Sequence, residues 1–144
     1  MKIGDKGLAL IKNAEGCRLE SYRDSVGILT VGFGHTSGVF ANETITQEEA
    51  EELLLEDIDR ICYPCIEAHV DVDLNQNQYD ALCSFIFNLG CGAFRSSTLL
   101  ELMNAGDYKA AAQQFARWNR AGGVPLAGLT ARRAAEAKLF SAPA

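Results

Sequence analysis

Long apolar runs, dense basic runs and clustered metal ligands are all missing from this chain of 144 residues. The longest apolar run near the start is Leu8-Ala9-Leu10-Ile11. That is far short of a signal-peptide core or a membrane helix, so neither an export signal nor stable membrane insertion is expected. Without a dense basic run, and with a formal net charge of −6, a nucleic-acid partner is not expected either. Histidine is scarce: His35 and His69 are the only two. One CxxC is present, Cys62-Tyr63-Pro64-Cys65, with no second CxxC. A structural zinc site usually takes four closely spaced ligands, so no metal is expected. A thioredoxin-like site would need an alternating strand–helix pattern around the CxxC, and that pattern is absent. There is no internal repeat, low-complexity tract or flexible linker.

What is present fits one globular unit over residues 1–144. Apolar residues make up 48% and the mean hydropathy is −0.02, enough for a soluble domain with a real core. The charge is divided unevenly. Residues 1–80 hold 16 acids and 6 bases, net −10, while residues 81–144 hold 3 acids and 7 bases, net +4. The basic part suits an anionic polymer as partner. The five cysteines, Cys17, Cys62, Cys65, Cys83 and Cys91, are odd in number and cannot all pair within one chain. The expectation is reduced thiols, several of them small core residues.

Periodicity predicts a first helix over 5–15, with Asp5 as N-cap, Leu8, Ile11 and Ala14 on its apolar face, and Gly16 ending it. Residues 17–41, with glycines at 27, 32, 34 and 38, read as a small antiparallel sheet of two or three strands. Thr46 and Glu49 match a capping box for a long helix over 46–62. Its stripe of Ala50, Leu53, Leu54, Asp57, Ile58 and Ile61 includes one charge. A lone carboxylate there needs a partner, and Pro64 should kink or end the helix. Asn75 with Gln78 caps the next helix, which buries Tyr79, Leu82, Cys83, Ile86 and Leu89. Ser96, Ser97 and Thr98 are candidate caps for 99–104. A further helix runs from about 108 to Arg120, a loop covers 122–125, and Thr130 caps a last helix over 131–140. The fold class is α+β: a small β lobe at about 17–41 and a larger helical lobe at about 75–140, joined by the 46–62 helix.

The stretch from Glu15 to His35 carries the chemistry. Glu15 closes the first helix. Asp24 follows nine residues later at a turn, and Thr30 lies six beyond in a run that alternates. On that run Ile28, Thr30, Gly32 and Gly34 share a face of mostly small or polar side chains, suited to line an open surface. Two carboxylates with a hydroxyl suit glycoside hydrolysis. One carboxyl protonates the leaving oxygen, and the other serves water or the developing cation.

This segment resembles the catalytic signature of the phage-type lysozymes, or endolysins: Glu, Asp and Thr followed by Gly-x-Gly-His. Here these are Glu15, Asp24, Thr30 and Gly32-Phe33-Gly34-His35. The likeness continues in 74–82, in Phe87-Asn88-Leu89-Gly90 and in 128–136, so it covers nearly the whole chain. It implies a lysozyme-like fold and a muramidase that hydrolyses the β-1,4 bond between N-acetylmuramic acid and N-acetylglucosamine in peptidoglycan, without a cofactor, and lyses the host. It also implies a form lacking a signal anchor, held in the host cytoplasm until a holin releases it to the periplasmic wall. Glu15 would be the general acid, in an apolar or anionic setting. Asp24 and Thr30 would hold the attacking water, with inversion.

The resemblance further implies an ion pair between His35 and Asp57, and saccharide contacts at Thr36, Phe87, Asn88 and Ser97. Phe87 also fits simple core and Ser97 a helix cap. Trp118 is expected in the core and Tyr22 in packing between lobes. Arg132 and Arg133, being adjacent, should point to different faces, one pairing with Glu136 and the other meeting the wall polymer. A monomer is expected. The competing readings are a lytic transglycosylase, which needs no water-activating carboxylate, and a silent lysozyme-like module used for wall binding.

Overall fold

The computed structural model describes all 144 residues. The chain opens with α1 (Asp5–Glu15) and a hairpin, β1 (Arg18–Arg23) and β2 (Leu29–Gly32). Helices α2 (Gln47–Ile61), α3 (Tyr63–His69), α4 (Gln76–Leu89), α5 (Cys91–Arg95), α6 (Thr98–Asn104) and α7 (Tyr108–Gln114) follow. A single 3-10 turn (Phe115–Arg117), a second hairpin, β3 (Arg120–Ala121) and β4 (Val124–Pro125), and α8 (Ala127–Ser141) complete it. No helix is long and apolar enough to cross a membrane.

Local signals set several boundaries. Thr46 and Glu49 form a reciprocal capping box at the start of α2, and Asn75 and Gln78 do the same for α4. Ser97 caps α6 by accepting from Leu100 N–H. Pro64 falls in the first turn of α3, where a missing N–H is harmless, so the chain breaks after Ile61 and restarts at once. At α1, Asp5 is inside the helix and Gly4 is the cap residue. The cap bonds come from far away. Asp80, buried in α4, accepts from Gly4 N–H at 2.8 Å and Gly7 N–H at 3.1 Å.

The β lobe is smaller than its glycine-rich sequence suggests. β1 and β2 pair antiparallel with an irregularity between Arg18 and Tyr22, and a lone bridge joins Glu20 to Thr44. Thr30, Val31, Gly32 and Phe33 are all buried, so the face expected to be open is largely packed, and Thr30 keeps only 4% exposure. The reason is packing: a side chain at Gly32 would meet Ala50 of α2 and Ile45 at 3.4–3.5 Å.

Twenty-three buried apolar residues form one core. At its centre Phe85 of α4 meets Phe94, Phe115 and Trp118 edge-on, with ring centroids 5.5–6.2 Å apart. Trp118 is half-buried, one side on Phe85 and the other toward solvent.

Four expectations need correction. The helix foreseen to Arg120 ends at Gln114, and the loop at 122–125 belongs to a hairpin whose two-residue strands are too short to show alternation. The last helix begins at Ala127 rather than after Thr130: Thr130 N–H already bonds to Leu126 C=O, and Gly128 is carried inside the helix. The thiols are not all reduced, because Cys65 and Cys91 form a disulfide between α3 and the start of α5. Those residues are 26 apart in sequence, and the CxxC drew attention to Cys62 instead. Cys62 and Cys83 are buried free thiols, and Cys17 is an exposed one.

Candidate active site

Glu15 is the last residue of α1, and Gly16 ends the helix with a positive φ of 69°. The Glu15 side chain is 22% exposed and held from two sides. Its Oε2 accepts from Arg132 Nη1 of α8 at 2.5 Å. Its Oε1 lies 3.2 Å from where a Cβ on Gly34 would stand, and Gly34 has φ of 80°. A side chain at position 34 would therefore press on the carboxyl. The apolar or anionic setting expected for Glu15 is corrected: its nearest charge is a guanidinium.

Arg132 is itself fixed. Its Nε donates to Ser84 Oγ at 3.3 Å and its Nη2 to Ser84 C=O at 3.2 Å. Ser84 Oγ in turn donates to Glu136 Oε2 at 2.5 Å. Arg133 Nη2 donates to that same oxygen at 3.0 Å, and its guanidinium lies over the Phe85 ring, 5.2 Å from the centroid. Arg133 Nε stands 2.7 Å from Glu136 Oε1 but off the hydrogen-bonding direction, so that contact is purely electrostatic. Burial pushes Glu136 up from the usual carboxyl range, while Arg133, Ser84 and Arg132 pull the other way. The expected split of Arg132 and Arg133 between Glu136 and solvent does not occur. Both are buried and both approach Glu136, because α8 packs with its 132–136 turn against α4. The positive charge open to a polymer is reduced accordingly.

Asp24 sits at the tip of the first hairpin. Its Oδ1 accepts from Val26 N–H at 3.0 Å and Ile28 N–H at 2.9 Å, and its own N–H donates to Ile28 C=O. Oδ1 thus shapes the turn and Oδ2 is left without a protein partner. Thr30 pairs with Tyr22 across the ladder, and its hydroxyl donates to Ile28 C=O at 2.9 Å. Only acceptor lone pairs remain on that oxygen. Ile28 is thus the point where the Asp24 turn and the Thr30 side chain meet. Tyr22 carries the Arg18 guanidinium over its ring, 4.1 Å from the centroid.

His35 bridges the β lobe to α2. Its Nδ1 lies 2.8 Å from Asp57 Oδ2 and its Nε2 lies 2.8 Å from Ser37 C=O. Both neighbours are acceptors, so both bonds form together only when the ring carries two protons. Arg60 Nη2 also reaches Asp57, at 3.0 Å from Oδ1.

The four other residues foreseen at the site are dispersed in role. Thr36 is exposed on the loop after His35, and Asn88 is exposed at the end of α4. Phe87 is half-buried against the core. Ser97 is buried as the α6 cap, its hydroxyl donating to Phe94 C=O at 2.6 Å. Beside it Ser96, Thr98, Gln114, Arg117 and Trp118 line an open polar groove of about 290 Å³. Gln114 and Arg117 carried no recognisable signal in the sequence.

The model of one family, phage lysozyme, matches residues 12–136, from just before Glu15 to Glu136. The chain belongs to the phage lysozyme family. As a lysozyme it is a glycoside hydrolase. An endolysin of Acyrthosiphon pisum secondary endosymbiont phage 1 is 46% identical to it over 97% of this chain and 98% of its own. A crystal structure of a lysozyme variant of Salmonella phage P22 superposes with a TM-score of 0.89 at 46% identity, covering 99% of each chain. The muramidase domain of SpmX from Asticaccaulis excentricus superposes at 0.88 with 38% identity, again over 99% of both. The α+β architecture of this lysozyme is the one those structures have.

Proposed function

We propose that this lysozyme cleaves the β-1,4 bond between N-acetylmuramic acid and N-acetylglucosamine in peptidoglycan glycan strands, with Glu15 as general acid. One observation carries the assignment. Glu15 is a partly open carboxyl held by Arg132 from the far end of the chain and flanked by Gly34 from the β lobe. A solvated surface carboxylate has no need of such fixing. As the acid gives up its proton, the new charge falls on a group whose Oε2 already faces a guanidinium. A preorganised cation aimed at charge that develops in the transition state lowers the barrier.

Asp24 and Thr30 hold the attacking water. The free Oδ2 of Asp24 and the lone pairs of Thr30 Oγ1 are both acceptors, so the water points its protons at them and its own lone pair at the anomeric carbon. This arrangement favours direct displacement with inversion over a covalent intermediate. Thr36, Phe87, Asn88 and Ser97 contact the saccharide around this centre.

The wider reading is one lysozyme-like unit over residues 1–144, supported by its single core. It is a monomer acting on the periplasmic wall after holin-dependent release from the host cytoplasm, causing lysis. It binds no nucleic acid and needs no cofactor. Proton NMR of freshly digested peptidoglycan tests the mechanism. The α-anomer of the new muramic acid end should appear first. Initial β-anomer would refute inversion, and a 1,6-anhydro product would identify a transglycosylase.

A further inference from the structure

A soft-ligand cluster that the proposed mechanism does not use lies at the joint between α3 and α5. Cys65 and His69 are four residues apart, so both project from one side of α3. Cys91, the first residue of α5, meets them there. One ligand atom from each, the two Sγ and a ring nitrogen, lie within 4.8 Å of one another. Two thiolates and an imidazole are the ligand types zinc prefers, at about 2.3 Å for sulfur and 2.0–2.1 Å for nitrogen.

We propose that the reduced form of this protein binds one zinc ion through Cys65, His69 and Cys91, and that the disulfide is the alternative, metal-free state of the same site. Two sulfurs on a tetrahedral ion stand about 3.8 Å apart, as follows from the 2.3 Å bond length. Reduction lets the pair open to that spacing with a small shift of α5. That helix is five residues long and enters from Gly90, which has φ of 90°. The backbone that carries the imidazole is fixed. His69 closes α3, its C=O accepts from Asn104 Nδ2 at 2.9 Å, and Asn104 Oδ1 accepts from Asp71 N–H at 2.9 Å. Cys65 is buried, whereas His69 and Cys91 are half-buried, which leaves an entry path and a fourth position for water.

The chemistry balances in both directions. A water-soluble phosphine takes the disulfide and one water to two thiols and a phosphine oxide. Zinc then replaces the two thiol protons, releasing both, while neutral His69 donates a lone pair. Reoxidation by a disulfide-bearing oxidant removes two electrons, and with them the site. A motif read along the sequence misses this cluster, because it pairs Cys65 with His69 and with a cysteine 26 residues away rather than with Cys62.

The test uses the full chain, reduced with phosphine and desalted without air. Zinc is titrated against a chromophoric chelator, with proton release followed in weak buffer. One zinc per chain and two protons per zinc are expected, with a tetrahedral thiolate spectrum when cobalt replaces zinc. His69→Ala and the gentler His69→Gln should each weaken binding by at least the ~10–100-fold typical of lost supporting groups at metal sites. The oxidised protein should bind none. Undiminished binding in Cys91→Ser would assign the metal to Cys17, Cys62 or Cys83 and overturn the proposal. So would octahedral cobalt, or a reduced wild type that leaves zinc on the chelator.

Discussion

Arg132 and Glu15 are 117 residues apart in sequence, yet their side chains meet at 2.5 Å. The contact joins the end of the first helix to the second turn of the last one. It also makes Glu15 the outer member of a chain running inward through Arg132, Ser84 and Glu136 to Arg133. The position of the candidate acid is therefore set by residues buried behind it.

Replacement of Glu15 by Gln keeps the shape and a hydrogen-bond acceptor for Arg132, but leaves no proton to deliver. Lysis of outer-membrane-stripped cells should fall by ~10²–10⁴-fold, with the circular dichroism spectrum unchanged. A folded variant that keeps more than about a tenth of the rate would be below what general acid catalysis is worth, and Glu15 would lose its role.

Gly34→Ala tests the other side of that carboxyl. The new Cβ would stand 3.2 Å from Glu15 Oε1, at a φ of 80°. The backbone alone should cost ~1–2 kcal/mol, read from urea unfolding. Activity should fall further, by ~10²-fold for a displacement near 1 Å. Gly106→Ala is the control: its φ is 84° and a Cβ there meets nothing within 4 Å. It should lose similar stability and keep full activity.

An alkaline effect follows from Tyr63 and Tyr79, whose rings lie 6.1 Å apart near the first residues of the chain. Burial pushes both phenols above the ordinary tyrosine range. For an acid raised in the folded state, stability is full below the unfolded value and declines as pH rises past it. Urea midpoints should therefore drop as pH passes about 10, the unperturbed tyrosine value. In Tyr79→Phe that drop should be shallower. An identical slope in the variant would remove Tyr79 as the source.

Loss of the disulfide should act on stability and not on catalysis. In chelator, Cys91→Ser opens a loop closed by two residues 26 apart, worth ~2–4 kcal/mol by loop entropy. Specific activity at 25 °C should stay level, since α3 and α5 carry none of the proposed catalytic groups. A matching fall in rate would tie this joint to the cleft.

What could be read from sequence divides by range. The boxes at Thr46–Glu49 and Asn75–Gln78 are three-residue relationships, and both are present as read. Asp57 stood out because a charge interrupts an apolar stripe, and it is found between His35 and Arg60. The family signature pointed to Glu15, Asp24 and Thr30 but not to their surroundings. Thr30 is covered because β2 packs on α2, and Glu15 faces a cation because α8 returns to α1. Cys91 opposite Cys65 and Asp80 at the start of α1 are likewise long-range pairings, which no local pattern announces. Short strands also escape: β3 and β4 are two residues each.

The remote cap on α1 bears on the timing of synthesis. A helix normally carries its start signal in its own first residues, but α1 takes its cap bonds from Asp80, and its last side chain waits for Arg132. A ribosome that has delivered the first 70 residues has made Glu15 but neither Asp80, which caps its helix, nor Arg132, which holds its carboxyl. The segment bearing the proposed acid is thus among the first to be synthesised and among the last to be locked. The nascent protein gains a finished cleft only when its final helix emerges.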